Sequence, residues 1–214
     1  MMKEIFKNFL VFAALALAIS SFNGCGAKAV NSSNTGNTLA NGNSSNNPGS
    51  TPSTVSSDAY PPLNSGLANA EFENLDGSKF KPTDKKGKVV LMNLWGIWCG
   101  PCRAEMPELI KLQDQYRDKD FEIIGLNIGK DQDTDEPESF DAIKKFAEQM
   151  KLNYTLARSP RESSNKFYEV SKKSVVPQSI LIDRQGRLRG VFTGFGANIT
   201  QSLRDTIDKV VNEQ

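Results

Sequence analysis

Cys99 and Cys102 stand two residues apart in the run W-C-G-P-C-R, residues 98–103. Three chemistries use such a spacing: a structural staple, half of a metal site, and a redox pair. A disulfide here closes a very small loop, so its chain-entropy stabilisation sits at the low end of the range. A structural zinc normally takes four ligands, and the chain has only three cysteines and no histidine. The redox reading has a positive argument. An apolar, β-rich run at 88–94 followed by a helix from Pro101 would put Cys99 at a helix N-terminus. Unpaired backbone N–H groups and the helix dipole favour a thiolate there. Pro101 suits the first helical turn, where its missing N–H costs nothing. The same reading expects Cys99 to face outward and attack. Cys102, one turn inside, would be sheltered and would resolve the mixed disulfide.

The rest of the chain bounds what such a pair could serve. The absence of histidine removes His-based triads and nearly every catalytic zinc site. With 26 basic and 25 acidic residues among 214, the chain is not a strongly basic nucleic-acid binder. An apolar content of 38% is low for a compact domain, so part of the length should lie outside any core. The N-terminus shows which part. Lys3 and Lys7 flank the start of an apolar run at 9–19, which is followed by small and polar residues. That order reads as a secretory signal peptide over 1–24, too short to span a membrane. From 26 to about 61, Asn, Ser, Gly and Thr dominate, with no aromatic before Tyr60. Such composition cannot offset its ordering entropy, so 25–62 is expected to be a disordered tether. About 36 residues of this kind reach roughly 30–36 Å.

The folded domain is therefore expected over 63–214. Short β-rich runs at 88–94 and 121–128 read as buried strands. A helix is expected over 101–116, and Phe140, Ile143, Phe146 and Met150 recur at helical spacing. A short strand at 154–157 and a small helix at 162–170 follow. Runs at 178–182 and 188–193 read as strands joined by the turn Asp183-Arg184-Gln185-Gly186. Ile199, Leu203, Ile207, Val210 and Val211 share one face of a last helix. Strands alternating with helices predict an α/β fold with a mixed sheet. The acidic stretch 131–138 reads as a solvated loop without function.

Phe22-Asn23-Gly24-Cys25 resembles the lipobox of bacterial lipoproteins, with Phe22 where Leu is usual. This resemblance implies lipidation of Cys25, which would also account for the odd third thiol. W-C-G-P-C after V-V-L-M-N-L-W, with R-A-E-M-P-E-L behind, resembles the thioredoxin superfamily. More narrowly, it resembles the TlpA/ResA-like membrane-anchored thiol–disulfide oxidoreductases, over about 68–214. Asp76-Gly77 and Lys86-Gly87-Lys88 resemble that family's opening β-hairpin and its lead into the sheet. Pro107 resembles a proline that kinks the active-site helix, and Val176-Pro177 a cis-proline loop that binds extended substrate.

The resemblance implies a thioredoxin fold: a central mixed β-sheet flanked by helices, with an N-terminal β-hairpin and a family-type insertion. It implies Cys99 as nucleophile, Cys102 as resolver, Trp98 as a lid, and Val176 and Pro177 as substrate contacts. Gln178 stands where the family often has Thr. Asn93 replaces the buried Asp of thioredoxins proper and cannot take a proton. Glu105, three residues after Cys102, matches a glutamate of the ResA-like branch. It is either the acid–base group or an ordinary exposed carboxylate. The implied activity is reduction of disulfides in protein clients such as apocytochrome c. Electrons would come from a membrane thiol-transferring donor, with the protein a lipid-anchored monomer of the bacterial envelope or periplasm needing no metal or cofactor. Disulfide oxidation or isomerisation of exported proteins, and a non-catalytic surface lipoprotein with an inert disulfide, are the alternatives. A peroxiredoxin would want Pro-x-x-x-Thr-x-x-Cys, and a copper-delivery protein of the Sco type Cys-x-x-x-Cys with a histidine. This chain has neither pattern.

Overall fold

The computed structural model describes residues 60–129 and 137–213. The signal peptide, Cys25, the tether up to residue 59 and most of the acidic stretch lie outside the described residues.

Seven strands form one mixed sheet in the order β2-β1-β5-β4-β3-β6-β7. They are β1 (Phe72–Asn74), β2 (Lys79–Phe80), β3 (Val89–Trp95), β4 (Phe121–Asn127), β5 (Thr155–Arg158), β6 (Gln178–Ile182) and β7 (Leu188–Thr193). The central strand β3 runs parallel to β4 and antiparallel to β6. Every residue of β3 is buried, because helices cover both faces of the sheet. Side chains still alternate. Val90, Met92 and Leu94 join Leu67 of α1 (Ser65–Ala68) and Phe167 of α4 (Arg161–Ser171) on one face. Val89 and Leu91 join Leu109 and Leu112 of α2 (Gly100–Gln115) and Leu203 and Ile207 of α5 (Ala197–Asn212) on the other. Leu109 and Leu112 are all but inaccessible and contribute about 2 kcal/mol each to docking α2. Helix α2 continues through Pro107, which offers no N–H to the preceding turn.

A third cluster sits where β3 ends. Trp95, Cys99, Cys102 and Met106 pack there with Ile143 and Phe146 of α3 (Phe140–Met150). Ser139 caps α3 by accepting the Ala142 N–H at 3.2 Å. The acidic stretch ahead of it is not wholly solvated. Glu138 is 5% exposed and accepts a 2.6 Å hydrogen bond from Asn127 Nδ2, an amide brought to the end of β4 by the sheet.

The chain enters at the opposite end of the sheet. Leu94 pairs with Gln178 near the cysteines, whereas Val90 pairs with Ile182 beside the β6–β7 turn. Pro62 bridges to Arg187 in that turn, and Tyr60 lies 3.9 Å from the buried guanidinium of Arg189. Ordered packing thus includes 60–62, the last residues of the expected tether.

Candidate active site

Strand β3 delivers Trp95 and Gly96 to the edge of the sheet, and Cys99 N–H donates back to Gly96 O at 3.1 Å. A Cβ on Gly96 would lie 2.6 Å from Trp98 Nε1, so only glycine lets the indole fold across this turn. That indole then donates to Gly129 O at 2.7 Å. Gly129 N–H in turn donates to Asn127 Oδ1 at 2.9 Å, so the lid is anchored to the end of β4. Arg103 Nη1 donates to Ile97 O at 2.6 Å, tying the turn to the first coil of α2.

Cys99 is the N-cap of α2, and its Sγ accepts the Cys102 N–H at 3.1 Å. The sulfur therefore occupies the position where one of the helix's unpaired donors would stabilise a thiolate. The two cysteines are joined as a disulfide.

The expectation of an outward-facing Cys99 is corrected here. Cys99 is 4% exposed and Cys102 1%. In the oxidised pair the first sulfur is turned in to its partner and to the helix end. Val176 packs against the cluster that holds it. The small surface that remains falls mostly on Cys99.

The Val176–Pro177 bond is cis, as the resemblance implied. Gln178 accounts for its own departure from the family's usual Thr. Its Nε2 donates to Lys173 O at 3.1 Å and Val175 O at 2.5 Å, fastening the loop before the proline. Pro177 O accepts the Gly194 N–H at 2.8 Å, which brings Phe195 to the same end of the sheet. Trp98, Val175 and Phe195 are each more than 40% exposed, and only one other large apolar side chain, Val191, is exposed among the described residues. All three stand at the end of the sheet that carries the cysteines, where exposed apolar side chains suit a polypeptide rather than a small ion.

Glu105 is not an ordinary exposed carboxylate. It is 4% exposed, and its Oε2 accepts a hydrogen bond from Asn93 Nδ2 at 3.1 Å. Burial pushes its carboxyl up to about 7, and the Asn93 donor pulls the other way. Burial also raises the phenol of Tyr154, and the charge of Glu105 raises it further. Asn93 donates a second bond to Ser179 Oγ at 2.9 Å. Ser179, Tyr154 and the looping role of Gln178 were not visible from the sequence; register across β3 and β6 brings the first of these to Asn93.

Residues 64–191 match the AhpC/TSA family. The chain is 36% identical over 115 residues to a thiol-disulfide oxidoreductase ResA of Bacillus cereus, covering 54% of this chain and 60% of that one. To the ResA of Geobacillus thermodenitrificans it is 32% identical over 123 residues, 58% of this chain and 64% of the relative. The match thus spans somewhat under two thirds of these relatives' length. Among solved structures, a putative thiol:disulfide interchange protein DsbE from Chlorobium tepidum superposes with a TM-score of 0.57 at 25% identity, over 72% of this chain and 97% of that one. The thioredoxin domain of a Bacteroides vulgatus thiol-disulfide oxidoreductase gives 0.55 at 26% identity, over 70% and 99%. With its disulfide at the head of α2 and a cis-proline loop beside it, the chain belongs to the AhpC/TSA family and has the thioredoxin fold.

Proposed function

We propose that the protein is a thiol–disulfide oxidoreductase of the bacterial envelope, anchored by a lipid on Cys25 and working through Cys99 and Cys102. The observation that carries this reading is the position of Cys99: its sulfur caps α2 and accepts a backbone N–H, beside a cis-proline loop. In the reduced protein the Cys99 thiolate attacks a client disulfide, forming a Cys99–client disulfide and releasing one client thiolate. Cys102 then gives its proton to the Glu105 carboxylate and attacks the Cys99 sulfur. The intramolecular disulfide forms, and the second client sulfur leaves as a thiolate. Two electrons pass to the client, and an external dithiol donor of the membrane must return the pair to its reduced state.

Reduction is the favoured direction because Gly100-Pro101 between the cysteines resembles the reducing thioredoxins; in an oxidising environment such a dithiol needs continual recharging from a membrane donor. Clients such as apocytochrome c, which the family resemblance implies, fit this direction. One observation favours another reading, a surface lipoprotein with an inert disulfide: Cys99 is almost fully buried. Glu105 weighs against it, since a merely structural disulfide has no use for a buried carboxyl one turn away.

Trapping in the native cell separates the readings. A Cys102→Ser protein is expected to accumulate mixed disulfides on Cys99 with a narrow set of exported proteins, cytochrome c precursors among them. A broad set would point to oxidation or isomerisation. No adduct above that of Cys99→Ser would reject the enzymatic reading.

A further inference from the structure

We infer that Asn93 and Ser179 are a positioning pair that holds the Glu105 carboxyl in place and sets the pH at which it gives up its proton. The inference rests on the oxidoreductase reading for its purpose, though not for its geometry. Asn93 is 1% exposed and Ser179 1%. They stand directly opposite each other in the antiparallel β3–β6 pair. The Asn93 amide has two hydrogens, and each has an acceptor: Glu105 Oε2 at 3.1 Å and Ser179 Oγ at 2.9 Å. One planar group therefore joins the central strand, the cysteine-bearing helix and the strand that follows the cis-proline. With both hydrogens committed, the amide cannot rotate away without leaving a buried acceptor unpaired.

The chemistry of the pair follows from what asparagine can and cannot do. It carries no proton to exchange, so it takes no part in proton transfer. The N–H it gives to Glu105 favours the carboxylate over the neutral acid, against the effect of burial. An Asp at this position would instead place a second acid against Glu105. Asn93 of β3 donates to the carboxyl with Ser179 of β6 behind it, the phenol of Tyr154 beside β5 feels its charge, and Cys102 lies one turn earlier on α2. Of these, Asn93 is the one that opposes burial at Glu105. Removing the donor leaves burial unopposed. A buried acid that stays protonated at neutral pH cannot accept the proton of Cys102. Asn93 thus keeps the carboxyl in the range where it can do so. Ser179 lies two residues beyond Pro177, so the backbone connects the loop expected to meet the client to the hydrogen bonds that hold the group expected to move the proton.

The test reads the carboxyl itself. In the oxidised full-length protein no active-site thiol titrates, so the side-chain carboxyl ¹³C shift of Glu105 reports its midpoint by NMR. Asn93→Leu, similar in volume but without a donor, should raise that midpoint by about one unit. Ser179→Ala should raise it by less, and it serves alone if Asn93→Leu does not fold. In the reduced protein, the pH profile of thiol exchange should move upward with Asn93→Leu. That movement should vanish when Asn93→Leu is combined with Glu105→Gln. An unmoved Glu105 midpoint in the folded variants, or an equal profile shift with and without Glu105, would overturn the inference. A carboxyl that moves in a protein that exchanges no thiols would support the positioning pair and sink the oxidoreductase reading. Normal exchange with an unmoved carboxyl would do the reverse.

Discussion

Replacing Glu105 by Gln should change how stability depends on pH, in a direction the structure dictates. The carboxyl is buried, and its midpoint rises from 4.5 in an ordinary glutamate to about 7. The folded chain therefore holds this proton more tightly than the unfolded chain does. The stability that comes from keeping the acid neutral is fully present below about 4.5 and is lost as pH rises through about 7. At roughly 1.4 kcal/mol per unit, the loss amounts to about 3 kcal/mol. A Gln side chain cannot ionise, and its carbonyl can still accept from Asn93 Nδ2. The assay is urea unfolding of both proteins, disulfide intact, at several pH values from about 5 to about 8, the window that brackets the raised midpoint. All other titrations are common to the two, so the difference isolates Glu105. The variant should gain about 3 kcal/mol on the parent across that range, since nothing else distinguishes their proton binding. A difference that stays constant with pH would show that the carboxyl titrates like an exposed one, and the account of a tuned buried acid would fall.

Two further substitutions address the loops around the disulfide. Gln178→Ala removes both donors that hold Lys173 O and Val175 O, at a cost of about 1–2 kcal/mol in urea unfolding. The same variant should exchange more slowly with a protein disulfide than with a small one, because the loop that meets the polypeptide is loosened; equal slowing would contradict this role. Gly96→Ala puts a Cβ within 2.6 Å of Trp98 Nε1 and should push the indole off Gly129 O. Collisional quenching of its fluorescence should then rise, and unchanged quenching would refute the placement of the lid.

The sequence was most legible where pattern and punctuation agree. Proline behind Cys99 and a β-rich run before it placed the cysteines at a helix head, and Asp183 to Gly186 marked the turn between β6 and β7. It was least legible where side chains owe their surroundings to distant strands. Strand β3 is apolar almost throughout, so no alternation tells which residues face α2 and which face α4. Helix α1 has four residues, too few for any period. Whether Glu105 faced water or the core depended on Asn93 and Ser179, which reach it from two other elements. Cys99 looked outward because Val176, which packs against the cluster that holds it, lies far along the chain and the redox state of the pair was unspecified. Glu138 shows the same effect in reverse: an acidic stretch reads as solvated until the amide of Asn127 buries one carboxylate.

Of the two sulfurs, that of Cys99 does the attacking. The reduced full-length protein and its Cys102→Ser and Cys99→Ser variants should be mixed with a small aromatic disulfide, and adducts mapped by mass spectrometry. A stable adduct on Cys99 is expected in Cys102→Ser, none of comparable rate in Cys99→Ser, and prompt return to the internal disulfide in the parent. Adducts forming faster on Cys102, or no exchange at all by the parent protein, would contradict it.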